Sequence, residues 1–117
     1  MSNMSFTLGD IVLVPFPFAD QSVTKLRPAL VVSLLPKDAL LVVYITSSIQ
    51  GETDFDVLLK PTKINGLKVA SIARMNRAVT IAHTMVTRRL GVLSSADCGR
   101  VSEKLRLLHK QFAKSCA

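Results

Sequence analysis

The chain has 117 residues, 49% of them hydrophobic, which suits one domain with its own core and excludes a disordered chain. Its longest apolar runs, Pro28 to Leu35 and Leu40 to Ile45, fall far short of the roughly 20 residues a membrane helix needs, and Met1 to Leu8 lacks the charged and apolar regions of a signal peptide, so a cytoplasmic protein is expected. The net charge of +7 is one-sided: Met1 to Leu59 holds three basic and six acidic residues, Lys60 to Ala117 twelve basic and two acidic, a split that suits nucleic acid first, an acidic protein second, or simply a solvated surface.

In chain order, the first elements read as strands. Asp10 to Val14 is an apolar, β-branched run stopped by Pro15 and Pro17. Ala29 to Ser33 and Leu40 to Thr46 are continuous apolar runs of the kind buried on both faces. A polar loop, Gln50 to Asp54, precedes a half-buried strand in which Phe55, Val57 and Leu59 alternate with Asp56 and Leu58. Val69 to Met75 and Ala78 to Ala82 read as two further strands, and Met85 to Arg88 as a short last one. One helix follows. Ser94 to Asp97 fits the S-x-x-[DE] capping box, with Leu93 and Cys98 placed as a hydrophobic staple. Cys98, Val101, Leu105, Leu108 and Phe112 then form one apolar stripe, expected to face the core. Short strands followed by one helix predict a small, strongly bent antiparallel barrel with the helix packed on it. The two cysteines, Cys98 and Cys116, make no disulfide framework and no metal set, so no metal and no other cofactor is expected.

The motifs are more specific. Gly9-Asp-Ile-Val-Leu-Val-Pro-Phe-Pro-Phe18 leads through a polar loop into Arg27-Pro-Ala-Leu-Val-Val-Ser33. Tyr44-Ile-Thr-Ser47, the segment Val69 to Ile81 with its Arg74-Met-Asn76, and the segment Arg88 to Ser94 follow in order. From about Leu8 to Phe112 this series resembles the MazF/PemK toxins of type II toxin–antitoxin systems. The resemblance implies one domain over residues 1–117, a small SH3-like antiparallel β-barrel of the MazF/PemK/CcdB type, and a homodimer. It also implies a metal-independent endoribonuclease acting on single-stranded RNA, silenced by a cognate acidic antitoxin.

Such a reaction uses the ribose 2′-OH as nucleophile, so the enzyme must move protons and stabilise a crowded, doubly charged phosphorane. Arginine suits the charge task, because its planar fork stays ionised and bonds two phosphate oxygens at once. Arg27, Thr46 and Arg74 fall on positions that resemble the family's active site. Read alone, Arg27 is equally an edge arginine with a surface carboxylate, and Arg74, after apolar Ile72 and Ala73, either needs a partner or a ligand or faces outward into solvent. Thr46 suits either a phosphate or the backbone. Asn76 stands where one branch of the family carries an Asp base, and an amide cannot take up a proton at neutral pH. Ser47 and His83 are candidate support, His83 as an imidazole beyond a turn. Phe18, Asp20, Gln21, Lys25 and Arg77 are candidate RNA contacts. The fold family also includes gyrase poisons, whose contact surface depends on an aromatic C-terminal end. This chain ends Phe112-Ala-Lys-Ser-Cys-Ala117 and has no Trp. A barrel that binds nucleic acid without cutting it is the remaining alternative, which Asn76 keeps open.

Overall fold

The computed structural model describes residues 5–17 and 24–116. Six strands form one antiparallel sheet: β1 (Asp10–Pro17), β2 (Thr24–Leu35), β3 (Ala39–Thr46), β4 (Asp56–Leu59), β5 (Ser71–Ala82) and β6 (Arg88–Val92), in spatial order β4-β5-β3-β2-β1-β6. A 3₁₀ turn (His83–Met85) joins β5 to β6, and helix α1 (Ser95–Cys116) closes the chain. The sheet is curled. Ile11, Leu30, Val43, Ile45, Leu59 and Met75 pack on one side beneath Leu93 and Val101 of the helical end. Val12, Val14, Ala29, Val31, Leu40 and Val42 pack on the other, with Phe6, Ile81 and Val86 against them. Alternate residues of β1 and β2 therefore serve two cores, which explains why their sequences are apolar without alternation.

Three elements differ from their expected form. The two strands expected over Val69 to Met75 and Ala78 to Ala82 are the halves of one strand, β5. Its pairing with β3 slips from Val43↔Ala78 to Ile45↔Ala73, so Arg74 to Arg77 bulge without ending the strand. The last strand runs from Arg88 to Val92 rather than ending at Arg88, and Met85 lies in the 3₁₀ turn. On α1 the cap is as expected, with the Asp97 amide donating to Ser94 Oγ at 3.1 Å. Of the apolar stripe, however, only Val101 is buried, whereas Cys98, Leu105 and Phe112 are exposed. Leu108 is half-buried, so the stripe meets the protein at Val101 and in part at Leu108.

Two further contacts fix the curl. Asp10 at the head of β1 accepts hydrogen bonds from the Thr7 amide and hydroxyl, each at 2.9 Å, and pairs with Arg89 of β6, also at 2.9 Å. Arg89 lies over the Phe6 ring, 5.5 Å from its centroid. The loop between β4 and β5 reaches β6 from the opposite edge of the sheet, where the Val92 amide donates to Ile64 O at 2.9 Å. The approach requires glycine on both sides. A Cβ on Gly66 would lie 2.2 Å from Leu90 O, and one on Gly91 2.2 Å from Ile64 O.

Candidate active site

The site is assembled where β2, β3 and β5 end together. Val14 pairs with Arg27, and Ala29 with Tyr44. Continued two residues, the second register sets Arg27 opposite Thr46. Thr46 in turn pairs with Ile72, and Arg74 lies two residues on, on the same face. Three residues far apart in sequence thus share one face of neighbouring strands. Proline explains the local form at Arg27: Pro28 donates no hydrogen bond and holds its predecessor extended.

Arg74 has the partner its surroundings demand. Asp56, its cross-strand neighbour on β4, accepts from Arg74 Nη1 at 3.0 Å. Nη2 donates to the Gln50 carbonyl at 3.4 Å. The Asp56 side chain is fully buried, and that of Arg74 is 17% exposed. Asp56 also takes the Thr53 amide at 2.8 Å through the same oxygen, Oδ2, while its Oδ1 is buried without a hydrogen bond. The alternation in β4 predicts Asp56 on the solvent side; the ion pair is what allows it inside. Arg74 is therefore aimed by a buried carboxylate while keeping an edge open to solvent.

Thr46 is buried, and its Oγ1 accepts from the Ser48 amide at 3.1 Å. That bond uses a lone pair, so the hydroxyl hydrogen is still available to an anion. Ser47 beside it is exposed. Asn76 and Arg77 are exposed in the bulge of β5. His83 is not brought to this group. β5 continues without a turn to Ala82, which pairs with Ala39, and the His83 amide donates to Asp38 O at the far hairpin. Phe18, Asp20 and Gln21 lie outside the described residues.

Next to Arg27 a cleft of 530 Å³ opens, lined also by Lys25, Ser47, Lys68, Ser71 and Arg88, with Leu13, Pro28, Ile45, Leu67 and Leu90 supplying apolar surface. Among the described residues, no Asp or Glu lines it. Lys25, Arg27 and Ser47 are candidates on the sequence alone, whereas Lys68 and Arg88 carry no motif of their own. The signal available was the concentration of basic charge after Lys60. Among the described residues, no three His, Cys, Asp or Glu side chains are grouped so as to hold a metal ion, and no helix is long and apolar enough to cross a membrane.

Comparisons with known proteins agree with this architecture. Among solved structures, the Mycobacterium tuberculosis toxin MazF-mt6 superposes with a TM-score of 0.64 at 20% identity, over 81% of this chain and 90% of that one. A mycobacterial endoribonuclease in complex with its cognate antitoxin gives 0.68 at 14% identity, over 86% and 91%. A further mycobacterial endoribonuclease gives 0.65 at 16%, over 89% and 91%. These likenesses concern the fold. A search of curated protein sequences finds no match. The family described as PemK-like, MazF-like toxin of type II toxin–antitoxin system matches residues 7–109. With nearly its whole length so matched, the chain belongs to the PemK-like, MazF-like toxins of type II toxin–antitoxin systems.

Proposed function

We propose that this toxin is a sequence-specific endoribonuclease that cuts single-stranded RNA, mRNA included, without a metal ion, and so halts translation and growth. The observation that carries the reading is the alignment of Arg27, Thr46 and Arg74 on one face of three neighbouring strands. Solved structures of the same fold named as endoribonucleases support it.

In this mechanism the 2′-OH attacks the adjacent phosphorus, and the bond to the 5′ oxygen breaks. The products are a 2′,3′-cyclic phosphate and a 5′-hydroxyl, the hydroxyl proton passing in net to the leaving oxygen. Arg27 and Arg74 face the non-bridging oxygens, whose charge grows in the transition state. Asp56 holds the Arg74 guanidinium in place beforehand, which removes the cost of ordering it during the reaction. Thr46, its oxygen already engaged by Ser48, donates its hydrogen to the phosphate. Asn76 supplies hydrogen bonds but no base.

The active form is a homodimer in the cytoplasm, held silent by a cognate acidic antitoxin. A mycobacterial endoribonuclease of this fold is in complex with its cognate antitoxin. Incubation of the purified toxin with a long RNA in excess EDTA tests the activity, and end-group analysis tests the chemistry. Cleavage with cyclic phosphate ends is expected. Full dependence on magnesium, or 5′-phosphate ends, would refute the mechanism.

A further inference from the structure

The cleft beside Arg27 is built from parts that the three-residue site does not use. Arg88 and Arg89 are sequence neighbours with opposite fates. Arg89 pairs with Asp10 and covers Phe6. Arg88, on the other face of β6 opposite Leu13, lines the cleft and makes no ion pair among the described residues. Lys68 enters the same cleft from the loop between β4 and β5, again without an ion pair among the described residues. Both side chains belong to exposed residues.

The loop that carries Lys68 is rigidly held. Asn65 is 1% exposed. Its Oδ1 accepts from the Thr62 and Leu67 amides at 3.0 and 2.9 Å, and its Nδ2 donates to Lys60 O at 2.9 Å. Gly66 then brings the loop against Leu90 of β6. Lys68 and Arg88 thus rise from two segments locked to each other, above an apolar floor that includes Leu67, Leu90 and Leu13. Among the described residues, a floor without charge and a rim of cations without carboxylates match one nucleotide of a polyanion: the base lies on the floor, and its phosphate meets the rim. A volume of 530 Å³ falls within the roughly 300–1,000 Å³ of small-ligand sites.

We propose that this cleft is a nucleotide-binding subsite for the single-stranded RNA, in which Lys68 and Arg88 hold a backbone phosphate of the strand. The inference rests on the ribonuclease reading for its ligand, but binding tests it separately from cleavage. The probe is a 2′-O-methyl RNA oligonucleotide, which cannot undergo 2′-OH attack. Each phosphate contact to a single strand contributes about 0.7 to the slope of log K against log salt, so Lys68→Ala and Arg88→Ala should each weaken binding about fivefold at 0.1 M salt and flatten the slope by about 0.7. Lys110→Ala on α1 serves as the control and should leave both unchanged. In cleavage assays the two cleft variants should raise KM and leave kcat near wild type.

Cleft variants that bind like wild type would overturn the subsite, as would an equal loss in Lys110→Ala, which would indicate diffuse charge attraction. Selective loss of oligonucleotide binding in a protein that cuts no RNA would support the subsite and overturn the ribonuclease reading alone. Normal cleavage with unaltered KM in both cleft variants would do the reverse.

Discussion

At the scale of single residues, Arg27 and Arg74 are the two phosphate ligands of the proposed site, and Arg74 is also tied to a buried carboxylate. Arg27→Ala should lower cleavage at least a hundredfold, the loss of about 3 kcal/mol of transition-state contact. A folded variant with wild-type cleavage would remove Arg27 from the site. Arg74→Ala also abandons the buried Asp56 carboxylate, whose side chain is fully buried. Breaking such a pair from one side costs about 3–5 kcal/mol, so urea denaturation should show a marked loss for Arg74→Ala and for Asp56→Ala. Arg74→Lys separates the two roles. It keeps a cation for Asp56 but loses the planar fork, so stability should largely return while cleavage stays low. Asn76 is exposed in the bulge two residues from Arg74. Asn76→Asp would place there a carboxylate that the Arg74 cation helps keep ionised. General-base catalysis is worth roughly a hundredfold or more, against about tenfold or less in affinity for one added negative charge. The single-turnover rate at saturating enzyme should therefore rise; a fall would mean that the amide itself binds phosphate or orients Arg74.

At the scale of elements, the loop between β4 and β5 stands out because its stability and its proposed function depend on one buried amide. Asn65→Ala would strip partners from the Thr62 and Leu67 amides and from Lys60 O. Each group left buried and unpaired costs about 1–3 kcal/mol. The variant should lose stability in denaturant, and hydrogen exchange should accelerate first at Gly66 to Val69. Gly66→Ala should be at least as harmful, because its φ of +70° is unfavourable for a side chain and its Cβ would meet Leu90 O at 2.2 Å. The β5 bulge is the second informative element. By absorbing extra residues opposite Tyr44, it turns Asn76 and Arg77 outward beside Arg74, and it carries the strand on to the far end of the sheet. That continuity is why His83 ends beside Asp38 rather than in the site.

At the scale of the whole molecule, the single chain leaves several large apolar side chains exposed, among them Leu26, Leu34, Val79 and Phe112. The homodimer proposed for this toxin would cover such side chains. Sedimentation at micromolar concentration should therefore give about twice the 12.7 kDa of the chain; a monomer at all concentrations would remove the proposed homodimer.

The sequence by itself determined the strand runs, the helix cap and the family, because each is written in local pattern: β-branched runs, a capping box, and the ordered motifs from Gly9 to Ser94. It also set the excess of basic charge after Lys60. Only the tertiary structure decided which charges are structural and which are open. Asp56 and Arg74 are eighteen residues apart, and Asp10 and Arg89 seventy-nine, so neither pairing leaves a trace in local spacing. The same holds for the opposite fates of Arg88 and Arg89, for Lys68 entering the cleft, and for a helical stripe that buries only Val101. Hydrophobic period tells a residue which face it occupies. What that face meets is fixed by strand order, by bulges and by the close glycine contact that draws two distant segments together.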